Sequence, residues 1–210
     1  GETGAGKSSL INLLTNSVDA DVDVLPITRQ RVAYRIAREG LPAALLIDTP
    51  GLGSGDSNAS LALEAEDCDM VVLVSAAPRA ARARDRDVLD DLQRHFEALG
   101  RRRPPVLVAL TQIDRLGPFG DWSPPIDVVG GGSEKAKSVR GAMEAAAREL
   151  DLDVGRVVPM RVDSAQAAYN VDALWAKIME ALPEAKRSRL QRCLKGAAGG
   201  WNWSTVLSQA

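Results

Sequence analysis

Four residues at the start of the chain have the types and spacing to hold a phosphate. Gly1, Gly6, Lys7 and Ser8, in the stretch GETGAGKSS, fit the pattern Gly-x4-Gly-Lys-Ser. Glycines let the backbone curl round an anion with its N–H groups pointing inward, in conformations that side chains would block. Lys7 supplies a point charge for the outer phosphates, and Ser8 offers a hydroxyl to magnesium. Leu10, Ile11, Leu13 and Leu14 recur at helical spacing. The loop is therefore expected to run into a helix over 7–16, whose N-terminal dipole favours an anion.

Two carboxylates occupy suitable places further on. Asp48 follows the apolar run ALLI and precedes Thr49-Pro50-Gly51. A carboxylate at the end of a buried strand can hold magnesium through water, and the Gly51 N–H can approach a terminal phosphate. Asp114 closes the stretch VLVALTQID. A carboxylate there can accept two hydrogen bonds from the imino and amino edge of guanine, a pattern adenine lacks. Thr28 sits in a polar stretch after Pro26, and its hydroxyl can reach magnesium when a third phosphate is present.

The elements that must position these groups follow from periodicity. Residues 17–30 read as a polar loop and 31–38 as an alternating edge strand. Continuous apolar runs at 43–47, 70–74 and 106–110 read as buried strands, with a last strand at 157–162. A Gly/Ser-rich stretch at 52–60 leads to a short helix. Helices are expected over 79–99, 133–150 and 169–182, with Pro183 breaking the last before a second helical piece to about 195 and a poorly ordered tail. Strands alternating with helices predict an α/β fold with a mainly parallel sheet covered on both faces. Ligands of such sheets sit at the carboxyl ends of strands, and the loop at 1–8, Asp48 and Asp114 all fall there.

The chain has 210 residues, 45% hydrophobic and only 4% aromatic, so the core must be built from Ala, Val, Leu and Ile. A net charge of −2 argues against a general electrostatic footprint for nucleic acid or membrane. Cys68 and Cys193 lack metal-ligand spacing, which suits a reducing compartment, and the cytoplasm is the expected location. No apolar run is long enough to span a bilayer. A phosphate loop of this kind joins a buried strand to a helix, and here the chain begins inside the loop. The expectation is that the first strand is missing, between the strands ending at Asp48 and Ala76. Residues 1–182 would form the nucleotide-binding domain and 183–210 a helical extension with its tail. Peripheral membrane attachment, if any, would lie in the missing part.

Motifs in this order and spacing resemble the translation-factor-type GTPases, in their Era-like branch: GETGAGKSSLINLL the phosphate loop and first helix, PITR the switch I threonine segment, DTPG the switch II entry. The likeness runs from Gly1 to about Leu182. The stretches DRLGPFGDWSPPIDV and YNVDALWAKIMEALPEAKRSRLQR further resemble a group of poorly characterised bacterial GTPase-domain proteins. The resemblance implies a three-layer P-loop NTPase of small-GTPase type that binds GTP or GDP with Mg2+. It implies phosphate contacts from Gly1, Gly4, Ala5, Gly6, Lys7, Ser8 and Ser9, and magnesium ligation by Ser8, Thr28 and Asp48. Gly51 would sense the last phosphate, and Lys7 and Thr28 would serve hydrolysis. Thr111, Gln112, Asp114, Arg161 and Val162 would line the base.

Three positions depart from the family pattern. Thr111-Gln112-Ile113-Asp114 stands where Asn-Lys-x-Asp is usual, so Gln112 replaces the lysine stem that covers the base. Arg161-Val162 replaces Ser-Ala after the last strand, which leaves only backbone for that base contact. Leu52 stands where Ras-like enzymes carry a glutamine and cannot orient water. The reading is a guanine-nucleotide switch with slow hydrolysis; the alternatives are a nucleotide-gated interaction module with negligible hydrolysis and, less favoured, an ATPase.

Other features read more plainly. Arg79, Arg82, Arg84 and Arg86, interleaved with Asp85, Asp87, Asp90 and Asp91, suggest a solvated helix face with local ion pairs. Arg101 to Arg103 form a short basic loop that an RNA or ribosome contact would use, without other support. His95 has no evident catalytic role, and Trp201 and Trp203 suit a docking tail. The loop at 115–132 is too long for a simple connector and is a candidate, with 17–30 and 51–60, for a homodimer or effector contact.

Overall fold

The computed structural model describes residues 4–16, 21–28, 31–37, 44–49, 58–163 and 168–196. Gly1, Gly51, Leu52 and the tail tryptophans lie outside these residues, as does the side chain of Thr28. The elements are α1 (Lys7–Asn16), β1 (Asp21–Thr28), β2 (Arg31–Ala37), β3 (Ala44–Asp48), α2 (Asn58–Glu64), β4 (Val71–Ala76), α3 (Ala83–Ala98), β5 (Val106–Thr111), α4 (Glu134–Leu150), β6 (Val157–Pro159) and α5 (Val171–Gly196).

The parallel sheet has the order β4-β5-β6, with Val71 opposite Val106 and Val108 opposite Val157. Alternate side chains of these strands divide between two cores, as the period of two requires. Val106, Val108 and Leu110 join Leu89, Leu92, Phe96, Val139 and Leu150 of α3 and α4 on one face. Leu107 and Ala109 join Leu10, Leu13, Leu14 and Leu174 of α1 and α5 on the other. That is the three-layer α/β arrangement expected, and β5 is buried throughout.

The first part of the chain differs from the expectation. Residues 21–28, read as a loop, form β1, which pairs antiparallel with β2. The two strands register Val22 on Ile36 and Val24 on Tyr34. β2 is therefore the centre of an antiparallel sheet β1-β2-β3, not an edge, and its Ala33 and Ile36 are buried. A ladder with distant partners decides this, and no period within 17–30 announces it. β3 was expected to be buried, yet Leu45 and Ile47 are 52% and 37% exposed, while Leu46 packs on the α1/α5 core. Among the described residues no ladder joins β3 to β4, so the sheet stands as two halves.

Two more expectations are corrected. α5 runs without interruption through Pro183. Ala181 and Ala185, on either side of it, are both buried, so packing holds the helix across the missing N–H. The arginine-rich stretch is only partly a solvated face. Arg86 and Asp90 do form a local pair at 2.8 Å. Arg82, however, is 3% exposed. It donates to the carbonyls of Ala76 and Ala77 at 3.3 Å and to Glu149 at 3.0 Å. Asp85 is fully buried and accepts from the Ser75 hydroxyl at 2.8 Å. These groups tie the end of β4 to α3 and α4, a buried use of charge that requires this pairing. His95 pairs with Glu66 at 2.7 Å. No helix among the described residues is long and apolar enough to cross a membrane.

Candidate functional site

The phosphate loop is built from two glycines that the backbone requires. Gly4 and Gly6 have φ of +82° and +89°, in the left-handed region. A Cβ on Gly6 would stand 2.9 Å from Cγ2 of Val162, so the loop also needs the missing side chain. Between them Ala5 turns inward and is 2% exposed in the α1/α5 core. The Leu10 N–H reaches the Gly6 carbonyl at 2.9 Å, which opens the first turn of α1 directly behind the loop. Ser8 is exposed and Ser9 half-buried.

The end of β5 fixes this loop from behind. The buried Thr111 hydroxyl lies 2.6 Å from the Ala5 carbonyl and 3.3 Å from that of Ser75. Gln112, itself at φ 59°, donates from Nε2 to the Gly4 carbonyl at 2.9 Å. Arg115 donates to Gln112 Oε1 at 3.2 Å. The two residues that depart from the usual base motif thus use their side chains to hold loop carbonyls.

Lys7 forms an ion pair with Asp48 at the end of β3. The lysine and the strand-end carboxylate therefore meet at the carboxyl end of β3, and the exposed Ser8 follows Lys7 in the chain. Oxygen donors of this kind suit magnesium, which takes few protein ligands and keeps water and phosphate oxygens. Ser8 and Asp48 fit such a role. Among the described residues no cluster of three or more His, Cys, Asp or Glu would hold a metal by protein groups alone.

Asp114 lies just past β5, with its side chain 15% exposed. Its Oδ1 is buried and has no hydrogen-bond partner among the described residues. A buried acceptor without a donor is costly, and an imino or amino N–H of guanine would satisfy it. The side chain of Arg161 points here too, with Nε 3.8 Å from Asp114 Oδ2 and 3.1 Å from Asp163 Oδ2. Val162 is buried against the loop.

Sequence reasoning missed Lys135 and the use of Trp122. Lys135 is 3% exposed, and its ammonium donates to the carbonyls of Asp114 at 2.8 Å and Leu116 at 2.5 Å. It thereby fixes the turn that carries Asp114. Trp122 folds back from the long loop to meet Tyr169 edge-on at 5.6 Å, with Arg161 5.6 Å and Lys135 5.9 Å from its ring centre. A lone tryptophan among glycines and prolines was the available signal. The Tyr169 hydroxyl also bonds the Ile126 backbone, so the loop is tethered beside Asp114. The basic loop at 101–103 faces elsewhere: a cleft of about 490 Å³ lined by Arg101, Arg103 and Arg156 opens at the other end of β5. Burial, and then the charge of Arg156, push the Arg103 guanidinium pKa down.

A glycine-turned phosphate loop before a helix, with Asp48 at the end of β3 and Asp114 just past the parallel strand β5, defines a P-loop nucleotide-binding domain. Residues 1–112 match the family described as 50S ribosome-binding GTPase, and the chain belongs to that family. It is similar to GTPase Era of Acidimicrobium ferrooxidans, 31% identical over 121 residues that make up 55% of this chain and 39% of that protein. It is 25% identical to GTPase Der of Syntrophobacter fumaroxidans over 206 residues, 94% of this chain and 38% of the other. A tRNA modification GTPase MnmE of Xanthomonas oryzae is 38% identical over 105 residues, 46% of this chain and 23% of that protein. The chain thus spans well under half the length of these relatives.

Proposed function

We propose that this chain is the guanine-nucleotide-binding part of a molecular switch that slowly hydrolyses GTP to GDP and phosphate with magnesium. The observation that carries the reading is the buried Asp114 Oδ1, unpartnered among the described residues, beside a phosphate loop held by Thr111 and Gln112. Phosphates would lie on the N–H groups of Gly4 to Ser9, with Lys7 moving from Asp48 to the outer phosphate oxygens. Ser8 and Asp48 would hold magnesium, joined by Thr28, and Gly51 would meet the last phosphate. Bound magnesium neutralises the charge that builds on the phosphate oxygens. Water attacks the terminal phosphoryl group in line, and the bond to the leaving phosphate oxygen breaks. Lys7 and the loop N–H groups stabilise the charge as it shifts. With Leu52 in the usual glutamine position, turnover is slow and depends on further groups. Contact with the last phosphate would hold Thr28, at the end of β1, and the 51–60 segment in one arrangement, and its loss would release them toward an effector or a second copy. The tethered 115–132 loop, with Phe119 87% and Val129 90% exposed, extends that surface beside the base.

The test is titration with fluorescent GDP in magnesium, with GTP, GDP and ATP as competitors, followed by turnover with GTP. GTP and GDP should compete where ATP does not, and Lys7→Ala should lose binding. Equal competition by ATP would overturn the guanine assignment. Binding without turnover would favour the nucleotide-gated interaction module.

A further inference from the structure

The two carboxylate oxygens of Asp114 have unequal surroundings. Oδ1 is buried and without a hydrogen-bond partner among the described residues, whereas Oδ2 faces Nε of Arg161 at 3.8 Å. The Arg161 guanidinium is held on two sides, by Asp163 Oδ2 at 3.1 Å and by the Trp122 ring 5.6 Å from its Cζ. Trp122 is held in turn by Tyr169 and lies under Lys135. A guanidinium stacked on an aromatic ring and shared between two carboxylates keeps its plane and place. Its charge draws on Oδ2 and weakens that oxygen as an acceptor.

We infer that Arg161 sets base specificity by competing for one of the two oxygens that read guanine, so that the site accepts 6-oxopurine nucleotides with little regard to the 2-amino group. The inference rests on Asp114 as the base reader, the reading proposed above. Guanine presents two donors on this edge, the N1–H and the 2-amino group. Hypoxanthine presents only the N1–H, and adenine has an acceptor at N1. One free oxygen satisfies the single donor that guanine and hypoxanthine share. The second oxygen, which would reward the 2-amino group, already faces a cation. Adenine remains excluded, because its N1 lone pair would meet the carboxylate.

The experiment compares GDP, IDP and ADP as competitors of fluorescent GDP on the full chain, on Arg161→Met and on Asp114→Ala. The native chain is expected to bind GDP and IDP within about threefold of each other and ADP far more weakly. Arg161→Met keeps the apolar stem on Trp122 and removes the charge. It should widen the GDP-to-IDP ratio by about tenfold, less than one hydrogen bond to a charged acceptor can carry. Arg161→Gln guards against a folding defect in the Met variant, since it also removes the charge while keeping a polar side chain, and should move the ratio the same way. Asp114→Ala should erase discrimination among all three. An unchanged ratio in both Arg161 variants, with GDP still bound, overturns this inference alone. A native chain that already prefers GDP to IDP by a hundredfold does so as well. A native chain that binds neither GDP nor IDP overturns the base-reader assignment with it.

Discussion

Gly4 and Gly6 sit two residues apart with similar backbone angles, yet their surroundings differ. A side chain on Gly4 would meet no atom of the described residues within 4 Å, whereas one on Gly6 would press Val162 at 2.9 Å. Gly4→Ala carries only the left-handed backbone penalty, about 1 kcal/mol. Gly6→Ala adds a clash with a buried branched side chain and should cost about 2–3 kcal/mol, with nucleotide binding lost. Paired thermal melts check the order, and equal losses would contradict it. Thr111→Val is the companion case, because it keeps the shape and removes the hydroxyl 2.6 Å from the Ala5 carbonyl. The expected loss is about 1–3 kcal/mol, from a buried carbonyl left without its donor, together with weaker binding of every nucleotide. The Gly-x4-Gly-Lys-Ser spacing was legible because its chemistry is local. The roles of Thr111, Gln112, Arg161 and Lys135 were not, because each acts on a partner that only the folded chain brings near.

At the scale of elements, legibility followed the source of the stabilising contacts. β4, β5 and the helices α1, α3 and α4 carry their own period, and their extents match the pattern closely. Ser133 caps α4 by accepting from the Ala136 N–H at 3.1 Å. Ser133→Ala should therefore lower stability by about 1 kcal/mol in a denaturant titration. β1 has no such internal signal and exists through its ladder with β2. α5 was misread at Pro183 for the converse reason: a local breaker is overridden by Ala181 and Ala185 seated in the core. Pro183 is itself exposed, so removing it disturbs no packing. Pro183→Ala restores the N–H toward Met179 and relieves the ring's conflict with that carbonyl. The expected outcome is a gain of about 1–3 kcal/mol, and a lower melting temperature would contradict it.

At the scale of the molecule, the described residues form two half-sheets that share a core but no ladder. β3 and β4 each have one edge without a partner strand among the described residues, and β3 shows solvent Leu45 and Ile47. Unpaired N–H and C=O groups on an apolar strand are a template for another chain. The site spans this division, since Asp48 belongs to one half and Thr111, Asp114 and Arg161 to the other, with Lys7 reaching across to Asp48. The 210-residue chain alone is therefore expected to self-associate as its concentration rises, and nucleotide with magnesium should oppose this by bridging the halves. Leu45→Lys places a charge on the exposed face of β3 without touching the core. It should shift the chain toward monomer in light scattering while leaving GDP affinity unchanged. A cooperative melt of a monomeric native chain, with no effect of Leu45→Lys, would show instead that these edges are already protected.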